Sequence, residues 1–172
     1  VLSEENNDLS VTLTRRDADI AIRPAAAAPE TLVGRRLATV ATAPYAAPEY
    51  LARQAEGAEL SALEWLGFED SLSHLGSARW IEAHVASDRI VCRTNSLLAL
   101  RAAARAGMGI AALPCYLGDP DAALRRVCAP LADMAVPLWL LTHPDLRRVA
   151  RIRTVLDLVA DRLVDQRALI EG

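Results

Sequence analysis

Three consecutive polar residues, Thr94, Asn95 and Ser96, place hydroxyl and amide groups at a predicted helix start. The residues before them, 90–93, favour a strand, and the residues from Ser96 to Ala106 are strong helix formers. Unpaired N–H groups at a helix start attract anions, and the neighbouring hydroxyls can add hydrogen bonds. The turn is therefore predicted to contact a small ligand. The structural alternative is an ordinary N-cap, which stabilises a helix by about 1 kcal/mol.

This turn lies within a predicted βαβ unit. Gly107 and Gly109 allow the chain to turn after the helix, and residues 110–113 form a short apolar run that ends at Pro114. Two parallel strands joined by a helix place the polar turn at the carboxyl end of the first strand. Open α/β sheets bind ligands at that edge, so the unit predicts a ligand site before any family is considered.

The sequence gives little support for catalysis, metal binding or cysteine chemistry. There is no G-x-S-x-G, P-loop or G-x-G-x-x-G motif and no evident nucleophile–base pair, so an enzyme and a cofactor are not predicted. The histidines share no metal-ligand spacing, so no metal is expected. The three cysteines are odd in number and far apart, which argues against a disulfide framework. Cys115 is interpreted as a small core or rim residue rather than a redox sensor.

The composition of the chain argues against two classes of partner, nucleic acid and membrane. The 172 residues carry a net charge of −3 and are 52% apolar, which suits one large domain or two small lobes. The net charge offers no electrostatic reason to bind nucleic acid. No segment approaches the ~20 apolar residues of a membrane span, and no signal peptide opens the chain. We therefore expect a cytoplasmic protein with no membrane contact.

Strands alternate with helices along the chain, which predicts an α/β fold with largely parallel sheets. Strands near 37–43 and 138–142, next to the breaks at Pro44 and Pro137, are predicted to cross between two Rossmann-like lobes. Lobe one would contain residues 1–40 and 139–172, and lobe two residues 41–138. A strand at residues 1–4 and a short helix with Leu9 and Leu13 are expected first. The last helix is expected to be the longest, with one apolar stripe.

Four motifs in this order resemble the effector-binding domain of LysR-type transcriptional regulators. They span essentially the whole chain and are the segments 17–23 (DADIAIR), 44–51 (PYAAPEYL), 95–114 (NS…AGMGIAALP) and 138–147 (LWLLTHPDLR). The resemblance implies a type 2 periplasmic-binding-protein fold, a small-molecule inducer held between the lobes, and homodimers that pair into tetramers. Carboxylate-bearing effectors suit the helix start, so we expect an anionic metabolite. The alternative is a periplasmic-type solute-binding receptor of the same fold.

Two segments of the family are expected to have no counterpart in these residues. One is the N-terminal winged helix-turn-helix, so DNA is expected to be contacted only through that domain. The first strand and helix of lobe one are also expected to be missing.

The resemblance completes the set of candidate effector-binding residues: Thr94, Asn95, Ser96, Arg23, Thr42, Phe68, Glu69 and Pro114. Arg23 ends a strand and is either a bidentate carboxylate partner or a solvated surface residue. Four arginines crowd the start of the last helix, where cations oppose the helix dipole. A contact with acidic residues of another subunit is one hypothesis for them, and the nearby Asp145 is the simpler explanation. The four are Arg147, Arg148, Arg151 and Arg153.

Overall fold

The structure is a computed structural model that describes residues 18–172. It divides into two compact units. The first contains residues 18–40 and Val136–Glu171, and the second contains Ala41–Ala135 together with Gly172. The strand expected at residues 1–4 and the helix expected to carry Leu9 and Leu13 lie outside the described residues.

Strands and helices alternate through most of the described chain. The strands are β1 Ile20–Pro24, β2 Val33–Val40, β3 Thr42–Ala46, β4 Trp65–Phe68, β5 Ile90–Thr94, β6 Ile110–Pro114, β7 Arg125–Arg126 and β8 Val136–Thr142. The α-helices are α1 Pro48–Leu51, α2 Gly76–His84, α3 Leu97–Arg105, α4 Cys115–Gly118, α5 Ala150–Asp165 and α6 Arg167–Glu171. Single 3-10 turns lie at Leu60–Ala62, Asp70–Leu72, Ser87–Arg89, Ala132–Met134 and Pro144–Leu146.

The second unit is built on a five-stranded sheet with the strand order β5-β4-β6-β3-β7. Its middle strands are mostly apolar, with Thr42 and Tyr45 of β3 as the residues that carry hydroxyl groups, and every residue of β3, β4 and β6 is buried. Ile81 of α2 and Leu100 of α3 pack into the same core as Trp65 and Leu113. A continuous apolar run of this kind is typical of a strand covered on both faces.

The predicted βαβ unit is confirmed, with β5, α3 and β6 within about one residue of the expected bounds. The two strands are not neighbours, because β4 lies between them and pairs in parallel with both. Gly107 adopts a positive φ of 72° directly after α3, which is the left-handed conformation that ends a helix at low cost when glycine occupies it.

The expectation of largely parallel sheets is correct for β4, β5 and β6 and wrong elsewhere. β3 is antiparallel to both β6 and β7. In the first unit the strand order is β1-β8-β2, and β8 is antiparallel to both neighbours. The physical reason is chain direction. The chain leaves the first unit at the end of β2 and re-enters it at the start of β8, and Val40 lies opposite Val136, so the two strands run in opposite directions.

The first unit forms its core on the face of the sheet that α5 and α6 cover. Leu37, Leu140 and Ala160 pack together there, with Leu156 and Val159 beside them. A second cluster on the unit joins Ala38, Val40, Leu138 and Ile170. The β2–β8 register shifts between Arg36 and Ala38. Without that shift, the adjacent Leu37 and Ala38 would point to opposite faces of the sheet.

The prolines used to place the lobe boundaries lie inside strands. Pro44 is a residue of β3 opposite Ala112, and its carbonyl accepts a hydrogen bond of 2.9 Å from the Val127 amide. Pro137 is the second residue of β8. The contacts of the described residues divide the structure after Val40 and after Ala135. The predicted lobe boundaries lie after residues 40 and 138, and the assignment of the two lobes stays a prediction. Residues 136–138 group with the first unit because they pair with β2.

The apolar stripe predicted for the last helix is confirmed in α5. Ile152 is buried, and Leu156, Val159 and Leu163 are half-buried. As expected, α5 is the longest helix of the described residues; it ends at Asp165, and after Gln166 the chain continues as α6. Among the described residues, no helix has the length and apolar character needed to cross a membrane.

Candidate functional site

Four strand ends meet at one edge of the five-stranded sheet. Phe68 and Thr94 end the parallel strands β4 and β5 and lie opposite each other. Pro114 ends β6, which is parallel to β4, and lies opposite Thr42, the first residue of the antiparallel β3. Phe68, Thr42 and Pro114 are buried, and Thr94 is half-buried. The sheet therefore brings together four residues that are separated by up to 72 positions in the sequence.

Glu69 extends this edge by one residue. Its amide donates a hydrogen bond of 3.1 Å to the Thr94 carbonyl, which continues the pairing of β4 with β5 beyond their last residues. The Glu69 side chain is exposed. Glu69 also precedes the 3-10 turn that starts at Asp70. The backbone holds Glu69 at the edge, and its carboxylate faces water.

The turn that follows β5 has free hydrogen-bonding capacity. The Ser96 amide donates to Thr94 Oγ1 at 3.3 Å, and Ser96 Oγ accepts from the Ala99 amide at 3.4 Å. Ser96 is thus the N-cap of α3, as the structural alternative predicted. In this role its oxygen is an acceptor, and its O–H has no acceptor among the described residues. The exposed Asn95 amide likewise bonds to no described side chain or backbone group.

Arg23 lies in the first unit, whereas the other seven candidate residues share the edge of the sheet in the second. It is the fourth residue of β1 and lies opposite Trp139 of β8. The side chain is half-buried, and no described residue pairs with its guanidinium. Its role as a carboxylate partner stays a prediction.

Arg93 lies at the same sheet edge but was not among the residues predicted to form the site. Its guanidinium Nη1 donates to the Phe68 carbonyl at 3.1 Å and so links the ends of β4 and β5. Arg93 lies opposite Gly67. A Cβ added to Gly67 would lie 2.8 Å from Ile90 Cγ2 and 3.4 Å from the Arg93 side chain, so the glycine leaves room chiefly for Ile90 and only in second place for Arg93. The only sequence signal was a charged residue within a β-rich run, which by itself is typical of a solvated strand position.

A second polar cluster in this unit has a structural role. Asp119 accepts hydrogen bonds from the Tyr45 hydroxyl at 2.7 Å and from Arg126 Nε at 2.8 Å. The Arg126 hydrogen bond holds the pKa of Asp119 below its usual range, and the burial of Tyr45 raises the pKa of its hydroxyl. The cluster joins β3, α4 and β7, and each of its charges is already paired.

Cys115 lies beside this cluster and is fully buried. Burial raises the pKa of its thiol, so the reactive thiolate is disfavoured at neutral pH. This agrees with the interpretation of Cys115 as a core residue. All three cysteines are free. In the part of the chain that the structure describes, no group of three or more histidine, cysteine, aspartate or glutamate residues is placed to hold a metal ion.

The arrangement is that of an α/β ligand-binding domain of the type 2 periplasmic-binding-protein fold. The family model for the LysR substrate binding domain matches residues 1–164. The chain belongs to this family. The family supplies the regulatory domains of transcriptional regulators, so the chain is such a domain and not an enzyme. A comparison with curated protein sequences finds no match.

Solved structures of LysR-type regulators show the same fold. The regulatory domain of CrgA, a LysR-type transcriptional regulator from Neisseria meningitidis, is 26% identical with a TM-score of 0.68, and the match covers 91% of this chain and 81% of that one. The structure of CrgA itself is 24% identical with a TM-score of 0.70, and the match covers 91% of this chain and 56% of CrgA. The effector domain of the regulator AmpR of Pseudomonas aeruginosa is 20% identical with a TM-score of 0.66, over 95% of this chain and 81% of AmpR's domain.

Proposed function

We propose that this domain senses a small anionic metabolite that binds at the edge of the five-stranded sheet. The observation that carries the proposal is the unused hydrogen-bonding capacity of the turn after β5. The Ser96 O–H and the Asn95 amide have no described partner, and α3 has no acidic residue in its first turn. Such a helix start favours an anion. The solute-receptor alternative has less support, because the matching family model and the structures compared above belong to transcriptional regulators.

In this proposal the ligand regulates by shifting an equilibrium. A ligand changes the state of a regulator only through the difference in its affinity for two conformations. The DNA response would belong to the full-length regulator, of which this chain is one part.

The ligand class can be tested by thermal-shift measurements on this chain with a series of aromatic and aliphatic carboxylates. A ligand present at about 100 times its Kd stabilises the folded protein by about 2.7 kcal/mol. A clear rise in melting temperature is therefore expected for a matching anion. Neutral amides of the same acids are the control and should leave the melting temperature unchanged.

Replacing Ser96 with alanine is expected to weaken binding of the best carboxylate by about 1 kcal/mol or more, because a hydrogen-bond donor is lost. Ser96→Asp is the sharper variant. Aspartate caps a helix as well as serine does, but its negative charge would repel an anionic ligand. Calorimetry should therefore show weaker binding for Ser96→Asp than for Ser96→Ala, with α3 intact by circular dichroism. Equal affinity in all three proteins would rule out the turn as a ligand contact.

We also propose that the domain forms homodimers, as the family resemblance implies, with the start of α5 at the interface. Arg148 and Arg151 are exposed there and pair with no described acidic residue, and Val155 and Leu158 on the same helix are 44% and 56% exposed. The double change Arg148→Glu and Arg151→Glu is expected to lower the mass in solution from dimer to monomer by light scattering. Arg79→Glu, an exposed change on α2, is the control. An unchanged mass would exclude this surface.

A further inference from the structure

A pocket in the first unit is separate from the sheet edge described above. Its volume is about 590 Å³, and the described residues that line it all belong to the first unit. Strands β2 and β8, the loop before β2 and the start of α5 form its walls. Pockets that hold small organic molecules are typically about 300–1,000 Å³ in volume, so this one is large enough for such a ligand.

The apolar part of the lining comes from both strands and the helix. Leu140 and Leu32 are buried, and Leu156 of α5 is half-buried. Thr142 also lines the pocket, but its hydroxyl already donates to the Asp19 carbonyl at 2.7 Å. The lining therefore gives a ligand apolar contact, and specific polar recognition falls to the charged side chains.

Those charged side chains are mostly cationic. Arg35 of β2, Arg147 before α5 and Arg153 within α5 line the pocket together with one acid, Asp157. Among the described lining residues, these three arginines and one aspartate sum to a net charge of +2. Within residues 18–172, none of the three guanidiniums has an ion-pair or side-chain hydrogen-bond partner. All three arginines are exposed, so water screens their mutual repulsion, and their guanidiniums are free to bind an anion that enters the pocket.

We infer that this pocket is a second ligand site of the domain and binds a small organic dianion, a dicarboxylate with an apolar body. Two carboxylates match the net charge of the lining, and guanidinium groups bind carboxylates through paired hydrogen bonds. The apolar body would lie against the leucines of the strands and of α5. An inorganic anion would meet the same charges but make no use of that apolar surface.

The test uses terephthalate, an aromatic dicarboxylate, titrated into the intact chain by calorimetry. Saturable binding is expected, and Arg35→Gln and Arg153→Gln should each weaken it at least tenfold. Asp157→Asn should strengthen it, because it removes the single acid of the lining. Arg36→Gln is the matched control. Arg36 adjoins Arg35 in β2 but does not line the pocket, so affinity should not change.

Two further binding measurements distinguish this site from the proposed effector site. Ser96→Asp should leave terephthalate binding unchanged, and sulfate should bind more weakly than terephthalate. Arg147→Gln repeats the test if either of the other arginine variants fails to fold. Absence of saturable binding would overturn the inference. The inference would also be overturned if Ser96→Asp lost terephthalate binding while Arg35→Gln kept it. That result would support the sheet edge as the site of the dianion.

Discussion

Trp65→Ala is expected to destabilise the second unit by about 3–5 kcal/mol, the usual cost of truncating a buried aromatic residue. Trp65 is fully buried at the start of β4, between Ile90 of β5 and Ile110 of β6. Its indole N–H donates to the Leu60 carbonyl at 2.7 Å, and its ring packs 5.5 Å from that of Trp80. Alanine would leave a cavity in the middle of the sheet and remove one of the two hydrogen bonds that the Leu60 carbonyl accepts, the other coming from the Leu63 amide at 3.3 Å.

Urea unfolding followed by circular dichroism measures this loss. Trp65→Phe is the matched control, because it keeps an aromatic ring and loses only the indole hydrogen bond, so we expect a smaller change. The same strand ends at Phe68, at the proposed effector site. Trp65→Ala should therefore also abolish carboxylate binding. A variant with an unchanged urea midpoint would show that Trp65 does not hold the sheet together.

Gly34→Ala is expected to cost the first unit about 3 kcal/mol or more, since overpacking against backbone cannot be relieved by a rotamer change. Gly34 lies in β2, and a Cβ added there would clash with the Leu140 carbonyl oxygen of β8. Real Cβ atoms do not approach another atom so closely, so β2 and β8 would have to separate. Gly34 and Leu140 both line the pocket of the first unit. Separation of β2 from β8 should therefore also abolish terephthalate binding.

The control for this substitution is Gly76→Ala. Gly76 is the first residue of α2, where an added Cβ would lie 3.1 Å from the Asp133 carbonyl oxygen. Alanine is also a better helix former than glycine by about 1 kcal/mol, which offsets the tighter contact. Thermal unfolding should show a large loss for Gly34→Ala and a small change for Gly76→Ala. Similar losses in the two variants would contradict the assigned packing of β2 against β8.

Local chemistry was sufficient to predict the elements around the candidate site. The segment from Ile90 to Pro114 changes from β-branched residues to helix formers and then, after two glycines, to an apolar run, and β5, α3 and β6 follow those changes. Ser96 could be predicted as a cap because a serine before a helical run satisfies free amides within the same turn. These features depend on residues a few positions apart.

Pairing across long distances could not be predicted in the same way. The position of β4 between β5 and β6, the antiparallel course of β3 and the antiparallel sheet of the first unit each join segments that are distant in the chain. Arg93 was overlooked because its partner, the Phe68 carbonyl, belongs to another strand. The pocket of the first unit unites Arg35 with Arg147 and Arg153, more than a hundred positions apart.

Periodicity, caps and turn residues thus specify which segments are strands or helices and which polar turn follows a strand, because those preferences are satisfied within a few residues. They do not specify which strands become neighbours. Many pairings bury similar apolar area, and the choice among them depends on how the whole chain packs. The sheet edge at Ser96 and the cationic pocket at Arg35 both arise from that packing.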